Sequence, residues 1–317
     1  MARKPASREL ELRLPATSAN LGPAFDAAAL AFRLYLRVRA RAADQFSVRA
    51  RGRDADICGQ VQNHLILETY RDVLAAEAKP ITPLALQLEN EMPIGKGCGS
   101  SAAARLAGIA LATHFGGLDW DNRRIIGEAS RREHHPDNAA ACWMGGLAVA
   151  RMISEVEAQV ARFIPRGKWP LLFVVPDQPL STEEARRVVP AEFSRHDAVT
   201  NIQNAMLLLA AFVQGRRDWL AAGLKDRIHQ PYRAPLCPLL PALQEVVGQR
   251  GILGAALSGA GPSVLIFLDP DIPAKQSQDL ISRHLHERKL SAELLATTIA
   301  VQGGNELQRS ITGKKRT

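Results

Sequence analysis

The residues whose types and spacing most clearly suggest chemistry form a glycine-rich loop that runs into a helix. Residues 93–104 read Pro-Ile-Gly-Lys-Gly-Cys-Gly-Ser-Ser-Ala-Ala-Ala, with glycines at positions 95, 97 and 99. Glycine permits a positive φ and lets a ligand approach the backbone closely. The free N–H groups at the start of the following helix attract an anion. Phosphate is the anion that suits this arrangement best, so the stretch predicts a loop that binds the phosphates of a nucleotide.

Two phosphate-binding patterns and one purely structural explanation compete for this loop. The Walker A pattern ends in Gly-Lys-Ser/Thr, and it is excluded because Lys96 precedes the last two glycines. Gly97-x-Gly99-x-x-Ala102 fits a degenerate Rossmann pattern, with Asp119 about 20 residues further on. A Rossmann turn follows its strand directly, however, and here residues 89–93 intervene. A helix that simply begins with a flexible turn also stays open.

The elements that must position the loop follow from hydrophobic periodicity. Alternation of apolar and polar residues predicts half-buried antiparallel strands in the first half, at 10–14, 32–38 and 46–51. Further strands of this half are predicted at 84–88, 146–152 and 160–164. Helices are predicted at 64–77, from the glycine loop to Gly116-Gly117, and from an N-cap at Asp119 to about His135-Pro136.

The second half follows a different order of elements. Strands are predicted at 171–175, 252–257, 264–268 and 292–301, and helices at 182–188, 195–214, 236–247 and 272–288. The order strand, glycine turn, strand, helix, strand indicates an α+β sandwich. Pro165-Arg166-Gly167 interrupts the pattern, so we predict two domains, 1–165 and 166–317.

Composition places the chain among ordinary globular proteins. It has 317 residues, of which 46% are hydrophobic and 23% charged. The formal net charge is +8, part of it at Arg3, Lys4 and residues 314–316. Aromatic residues make up only 5%, and no basic stripe alternates with them, which argues against a nucleic-acid partner. A small anionic substrate explains the positive charge equally well.

Cysteine usage and apolar runs indicate the compartment. The four cysteines are scattered without a CxxC pair, so neither a zinc site nor a disulfide framework is indicated. Residues 1–11 contain no apolar run typical of a signal peptide. The longest apolar stretch, 205–213, is far shorter than a membrane span. We therefore expect a reduced, cytoplasmic protein without a membrane partner.

Two further motifs accompany the glycine loop, and the three together resemble a known family. Residues 15–26 read Pro-Ala-Thr-Ser-Ala-Asn-Leu-Gly-Pro-Ala-Phe-Asp, and residues 258–264 form a second glycine-rich turn. In this order and spacing the chain resembles the GHMP kinase superfamily of ATP-dependent small-molecule kinases. The first motif and Glu-His-His-Pro-Asp-Asn at 133–138 resemble the homoserine kinases in particular, whose closest forms read PATSANLGPGFD and EGHPDN. Ala24 and His134 replace glycines of those forms.

The resemblance implies a fold, a nucleotide and a metal. The fold is a GHMP kinase-like two-domain α+β fold, with a ribosomal protein S5 domain 2-like, ATP-binding N-terminal domain and a ferredoxin-like C-terminal domain. ATP would bind through the backbone of the loop, supported by the third motif. Mg²⁺ would be bound by one of the two loop serines and a glutamate, oxygen ligands that suit this ion. The residues implied to bind nucleotide or metal are Asn63, Pro93, Ile94, Gly95, Lys96, Gly97, Cys98, Gly99, Ser100, Ser101 and Glu133.

The resemblance also implies the acceptor, L-homoserine, and the residues that hold it. A zwitterionic amino acid requires a fixed cation and a fixed anion, and the guanidinium fork of arginine binds a carboxylate with two hydrogen bonds. Arg186 and Arg233 would bind the carboxylate and Asp26 the ammonium group. The remaining residues implied at the acceptor are Thr182, beside Arg186 in sequence, and Asn20, His135, Asp137 and Asn138, around the reacting hydroxyl.

Phosphoryl transfer depends more on positioning and charge neutralisation than on covalent chemistry. Several related kinases have an aspartate as general base where homoserine kinases, and this chain at Asn138, have asparagine, which cannot take the proton. We hypothesise that the homoserine hydroxyl attacks in line, oriented by Asn20, Asp137 and Asn138, and that its proton passes to phosphate or solvent. The product would be O-phospho-L-homoserine, in threonine biosynthesis, and a homodimer is considered. The alternatives are a related kinase acting on threonine, a sugar or an isoprenoid precursor, and a catalytically inactive, nucleotide-binding regulator.

Overall fold

The computed structural model describes residues 9–310 and arranges them in two β-sheets with helices. The basic residues at 3–4 and 314–316 lie outside this range. The strands are β1 (Glu9–Asn20), β2 (Ala24–Ala42), β3 (Ser47–Gly52), β4 (Leu84–Asn90), β5 (Leu147–Met152), β6 (Ala158–Phe163), β7 (Pro170–Pro176), β8 (Ile252–Leu257), β9 (Val264–Leu268), β10 (Ala292–Thr298) and β11 (Arg309–Ser310). The α-helices are α1 (Ala55–Cys58), α2 (Leu65–Ala76), α3 (Ser100–Gly116), α4 (Asn122–Glu133), α5 (Asp137–Met144), α6 (Thr182–Arg187), α7 (Arg195–Gln214), α8 (Leu220–Gly223), α9 (Gln230–Arg233), α10 (Leu239–Gln244) and α11 (Ala274–Glu287).

The first sheet is organised around the long hairpin of β1 and β2. Its strand order is β11-β1-β2-β4-β3, and β5 pairs with the other end of β2 and with β6. In β1 the apolar residues Leu10, Leu12 and Leu14 are buried, as the alternation predicts. The prediction that 46–51 pairs in an antiparallel manner is wrong, because β3 runs parallel to β4. Helices α1 and α2 connect these two strands, and such a crossover returns the chain to the same end of the sheet.

The helices of the first half differ from the predictions at two points. Asp121, and not Asp119, caps α4, because its side chain accepts a hydrogen bond from the Arg124 N–H at 2.9 Å. The helix α5 was not predicted, since residues 137–143 are all buried and therefore show no amphipathic periodicity. The Rossmann alternative is wrong as well. The strand after α3, β5, lies antiparallel to β2, and Asp119 follows the far end of α3.

The second sheet is the predicted ferredoxin-like unit. Its four strands are antiparallel in the order β10-β7-β9-β8, the order that two split βαβ connections through α7 and α11 produce. The helix predicted at 236–247 is shorter than expected. It spans Leu239–Gln244 as α10, preceded by a 3₁₀ turn at Ala234–Leu236.

The two sheets share a core, and the chain returns to the first sheet at its end. Phe32 packs on Phe173 with ring centroids 5.1 Å apart, and β11 pairs with β1. The domain boundary near residue 165 therefore stays a prediction. Within residues 9–310, no helix is long and apolar enough to cross a bilayer.

Candidate active site

A cavity of about 570 Å³ lies between the phosphate loop, the β1–β2 hairpin and the start of α6. Most of the side chains that the sequence singles out meet here, although they come from distant parts of the chain. The predicted site residues that line it are Asn20, Asp26, Asn63, Ile94, Gly95, Gly97, Gly99, Ser100, Ser101, Glu133, His135, Asp137, Asn138, Thr182, Arg186 and Arg233.

The phosphate loop has the backbone that an anion site requires. Gly95, Gly97 and Gly99 adopt φ values of +69°, +78° and +69°. Residues that carry a Cβ are strained at such positive φ values. Glycine at position 97 is also required by space, because a Cβ there would lie 2.3 Å from the Ser258 carbonyl oxygen. Helix α3 begins directly afterwards at Ser100, so its free N–H groups are available to phosphate.

The third motif supports this loop, as the resemblance implies. The Ser258 hydroxyl donates to the Gly97 carbonyl at 2.6 Å. The Gly259 N–H donates to the Ala19 carbonyl at 3.1 Å, and the Asn20 side-chain amide donates to the Gly259 carbonyl at 2.8 Å. One turn therefore joins the phosphate loop to the first motif.

Three loop residues that are predicted to bind nucleotide do not line the cavity, namely Pro93, Lys96 and Cys98. The Lys96 ammonium donates to the carbonyls of Pro176 (3.0 Å) and Asp177 (2.5 Å), at the end of β7. The Cys98 thiol is buried and donates to the Pro93 carbonyl at 3.1 Å, and burial raises its pKa to about 12. The side-chain contacts of Lys96 and Cys98 hold the loop in its conformation. At these positions ATP would therefore be contacted by backbone atoms.

The oxygen atoms expected to bind Mg²⁺ lie together at the end of the loop. The Ser101 hydroxyl donates to Glu133 Oε2 at 2.7 Å, while the Arg105 guanidinium pairs with Oε1 of the same carboxylate. Ser101 is near the start of α3 and Glu133 is the last residue of α4. A hydroxyl and a carboxylate beside a phosphate loop fit the preference of Mg²⁺ for oxygen ligands. Ser100 lines the same cavity.

The first motif turns sharply at residues 20–26. Asn20 and Asp26 adopt φ values of +68° and +51°, and the Asp26 N–H donates to Asn20 Oδ1 at 2.9 Å. Ala24, which stands where the family motif has glycine, does not adopt this left-handed conformation. Alanine at this position therefore causes no backbone strain. The turn directs the Asp26 carboxylate toward α6, where Arg186 donates to both of its oxygens at 2.9 and 3.1 Å. The anion and the cation expected to bind opposite ends of homoserine are thus paired with each other in the ligand-free chain.

Arg233 is the second cation of the site, and it is 1% exposed. Its Nε donates to the Ala185 carbonyl at 2.8 Å, and its Nη1 donates to His229 Nδ1 at 3.2 Å and to the Gly259 carbonyl at 3.3 Å. Nη2 has no hydrogen bond within residues 9–310. Burial, with the charge of Arg186, lowers the pKa of Arg233 to about 10, which leaves it charged at neutral pH.

His229 connects Arg233 to the first motif, a role that the sequence did not suggest. Its Nε2 donates to the Gly22 carbonyl at 2.7 Å, and its ring stacks on Phe25 with centroids 5.2 Å apart. Burial lowers the pKa of His229, so the ring is neutral and Nδ1 accepts from Arg233. The Asp226 carboxylate caps this segment by accepting the His229 N–H at 2.9 Å.

The start of α5 presents the residues expected around the reacting hydroxyl. Asp137 is 1% exposed, and its Oδ1 accepts from His135 Nδ1 and from the Asn138 N–H, both at 2.6 Å. Burial opposes a charge on His135, but its hydrogen bond to Asp137 and the negative charges of Asp137 and Asp26 outweigh this effect, and the pKa of His135 is raised. Asp137 Oδ2 is buried and lacks a partner within the described chain. An unpaired buried carboxylate oxygen beside a cavity indicates a ligand that donates to it.

Similarity to known proteins identifies the family of this chain. Residues 64–146 match the model of the GHMP kinases N terminal domain, and residues 208–286 match that of the GHMP kinases C terminal domain. A homoserine kinase of Solibacter usitatus is 43% identical over 81% of this chain and 84% of its own length. The chain belongs to the homoserine kinase family of the GHMP kinases. A homoserine kinase of Deinococcus radiodurans is 38% identical over 89% of this chain and 90% of its own.

A solved structure shares the fold of this homoserine kinase family member. The crystal structure of homoserine kinase from Cytophaga hutchinsonii superposes with a TM-score of 0.78 at 21% identity, covering 98% of this chain and all of that one. The predicted α+β, two-sheet GHMP kinase fold is therefore confirmed.

Four residues of the site were missed in the sequence. Thr17, Arg105 and His229 contact Asn138, Glu133 and Arg233 respectively, and the Asp54 carboxylate accepts from the Ile94 N–H at 2.9 Å at the start of the loop. Two of them carry a local signal, since Arg105 lies one helical turn after Ser101 and His229 lies four residues before Arg233. The contacts of Thr17 and Asp54 join distant segments and become visible only in the fold.

Proposed function

We propose that this protein transfers the γ-phosphoryl group of ATP to the side-chain hydroxyl of L-homoserine, giving O-phospho-L-homoserine in threonine biosynthesis. The observation that supports this most strongly is that a single cavity joins the phosphate loop to two arginines and two carboxylates. The loop supplies the backbone donors for a nucleotide, while Arg186, Arg233, Asp26 and Asp137 supply the charges for a zwitterion. Family membership and this charge pattern point to the same acceptor.

Substrate binding would proceed by exchange of an ion pair. The carboxylate of homoserine would take the Arg186 fork and the free Nη2 of Arg233, and the ammonium group would take the Asp26 carboxylate released from Arg186. One internal pair is thereby replaced by two pairs to the substrate. A sugar or an isoprenoid alcohol lacks the ammonium group and would leave Asp26 without a new partner, which disfavours such acceptors.

The hydroxyl would attack the γ-phosphorus from the side of α5. Asn138 and Asp137 border the cavity there, and both amide atoms of Asn20 are bonded to the protein while each keeps one further hydrogen-bonding position. Asn20 can therefore orient the substrate hydroxyl while it holds the turn. Neither asparagine can take up the hydroxyl proton. With Asp137 assigned to orienting the hydroxyl, the proton passes to a phosphate oxygen or to solvent. Ser101 and Glu133 would hold Mg²⁺, which neutralises phosphate charge when bound.

A coupled ADP-release assay across several acceptors tests the proposal. We expect turnover with L-homoserine to exceed that with threonine, shikimate and mevalonate, and phosphorus NMR to identify a phosphomonoester product. Fastest turnover on mevalonate would contradict the amino-acid assignment. Nucleotide binding without turnover on any acceptor would instead support the inactive regulator.

Two expectations about location and assembly belong to this proposal. All four cysteines are free thiols, which supports a cytoplasmic location. The exposed apolar residues Val199, Ile202 and Met206 form a stripe on α7. If the chain forms a homodimer, this stripe is the surface at which the two copies would meet. Sedimentation equilibrium would measure the assembly directly.

A further inference from the structure

We infer that Thr17 is a positioning residue, which fixes the end of the Asn138 amide that faces the acceptor hydroxyl. Thr17 lies in β1, within the first motif, and is completely buried. It does not border the cavity itself. The inference rests on the proposed function, because it concerns how Asn138 serves the transfer.

The direction of one hydrogen bond carries the inference. The Thr17 hydroxyl donates to Asn138 Oδ1 at 2.6 Å, across 121 residues of sequence. The carbonyl end of the amide is therefore turned toward β1, and Nδ2 is the end left for the cavity, which Asn138 lines. Within residues 9–310, no group accepts a hydrogen bond from Nδ2. Asn138 thus offers N–H donors to a ligand and no acceptor.

Thr17 is also fixed to the phosphate loop. Its backbone N–H donates to the Cys98 carbonyl at 3.0 Å. A Cβ at Gly99 would lie 2.0 Å from the Thr17 hydroxyl oxygen and 3.1 Å from Asn138 Oδ1. The loop that binds the donor phosphates, Thr17 and the amide at the acceptor are therefore packed in one row. This packing sets the position of Asn138 relative to the loop as well as its orientation.

The orientation has a chemical consequence for the hydroxyl proton. An Nδ2 donor can hold the hydroxyl oxygen, which leaves the proton of that hydroxyl free to pass to a phosphate oxygen. The reversed amide would present Oδ1, which would bind the proton without being basic enough to remove it. Thr17 favours the productive orientation, because Asn138 Oδ1 is the acceptor of its buried hydroxyl proton. The reversed amide could donate to the hydroxyl oxygen but would leave that proton without an acceptor within the described residues.

Steady-state kinetics of Thr17→Val and Thr17→Ser test this role. Valine keeps the shape of threonine and removes the donor, and we expect kcat to fall at least about tenfold while KM for ATP stays within about twofold. Serine keeps the hydroxyl and should restore kcat to within about threefold of the wild type. Ser130→Ala is the matched control, because it removes another buried hydroxyl bond of 2.6 Å, to the Ile126 carbonyl, and should leave kcat unchanged.

Asn138→Ala and the double variant separate the ways in which the inference can fail. If Thr17 acts through Asn138, Thr17→Val should lower kcat no further when Asn138→Ala is already present. Additive losses, or full activity of Thr17→Val beside an impaired Asn138→Ala, would overturn the positioning role alone. Full activity of Asn138→Ala would overturn the role proposed for Asn138. Failure of the wild type on homoserine would overturn the proposed function itself. Thermal unfolding of each variant identifies losses that come from misfolding.

Discussion

Replacement of Asp26 by asparagine separates substrate recognition from stability. In the ligand-free chain the Asp26 and Arg186 side chains are 31% and 36% exposed. An ion pair that is solvated to this extent contributes at most about 1 kcal/mol to the free energy of unfolding. A charge-assisted hydrogen bond to the homoserine ammonium contributes about 1.5–3 kcal/mol. Because the variant no longer has to break the internal pair, we expect a net loss of about 1–2 kcal/mol. That corresponds to a roughly 5- to 30-fold lower kcat/KM for homoserine.

The assay compares homoserine with 4-hydroxybutanoate, which has the carboxylate and the hydroxyl but no ammonium group. The wild type should prefer homoserine. Asp26→Asn should narrow that preference by the whole contribution of the ammonium hydrogen bond, about 1.5–3 kcal/mol or roughly 10- to 150-fold, because breaking the internal pair costs the wild type the same with either acceptor. KM for ATP should be unchanged. Glu183→Gln is the matched control, because Glu183 forms an exposed pair with Arg187 on the same helix as Arg186, and it should behave as the wild type. Equal losses on both acceptors would refute the reasoning, since they would mean that Asp26 acts only through the shape of the turn.

Three further predictions concern the scaffold of the site. Gly97→Ala should abolish nucleotide binding, measured with a fluorescent ATP analogue, because its Cβ would lie 2.3 Å from the Ser258 carbonyl oxygen. At Gly95 an added Cβ meets open space. Gly95→Ala should therefore lower the free energy of unfolding by only about 1–2 kcal/mol, the cost of its positive φ, as measured by urea unfolding. His229→Gln should destabilise the fold more at pH 8 than at pH 5.5. Burial lowers the pKa of His229 in the fold. The contribution of His229 to the free energy of unfolding is therefore complete above the unfolded pKa of about 6.5 and declines as the pH falls below it. Urea titrations in which the stability difference between variant and wild type is the same at both pH values would contradict this. His134 adopts a φ of +67° at the end of α4, so His134→Val should lower the free energy of unfolding by about 1–2 kcal/mol, and His134→Gly should not lower it.

Much of the fold could be predicted because its periodic elements are long. The pattern of α7 predicts its observed bounds, and the alternation in β1 predicts the start of that strand to within one residue, although β1 continues to Asn20, beyond the predicted end at residue 14. The helix α5 could not be predicted in this way. Its residues Asp137 to Trp143 are buried on all sides, so no polar face marks the helix. The parallel pairing of β3 also depends on the connection to β4 and not on the sequence of β3 itself.

The candidate site was predictable as a set of residues but not as a set of contacts. Motif order indicated Asp26 and Arg186 as partners of opposite ends of one substrate, and only the fold shows that they first pair with each other. Lys96 illustrates the reverse case, because its place in the loop suggests phosphate while its side chain reaches the end of β7. A long flexible side chain can leave its local neighbourhood, and sequence spacing carries no information about where it ends.

The backbone of Gly259 joins the two halves of the cavity. Its carbonyl accepts from the Asn20 amide on the acceptor side and from Arg233 of the carboxylate clamp, and its N–H donates to Ala19. The preceding residue, Ser258, donates to Gly97 of the phosphate loop. A shift of this turn of a few tenths of an ångström would therefore alter the nucleotide side and the acceptor side together, because interiors are too closely packed to absorb it locally. It follows that homoserine and nucleotide should bind with mutual dependence, each changing the affinity of the other by the same factor.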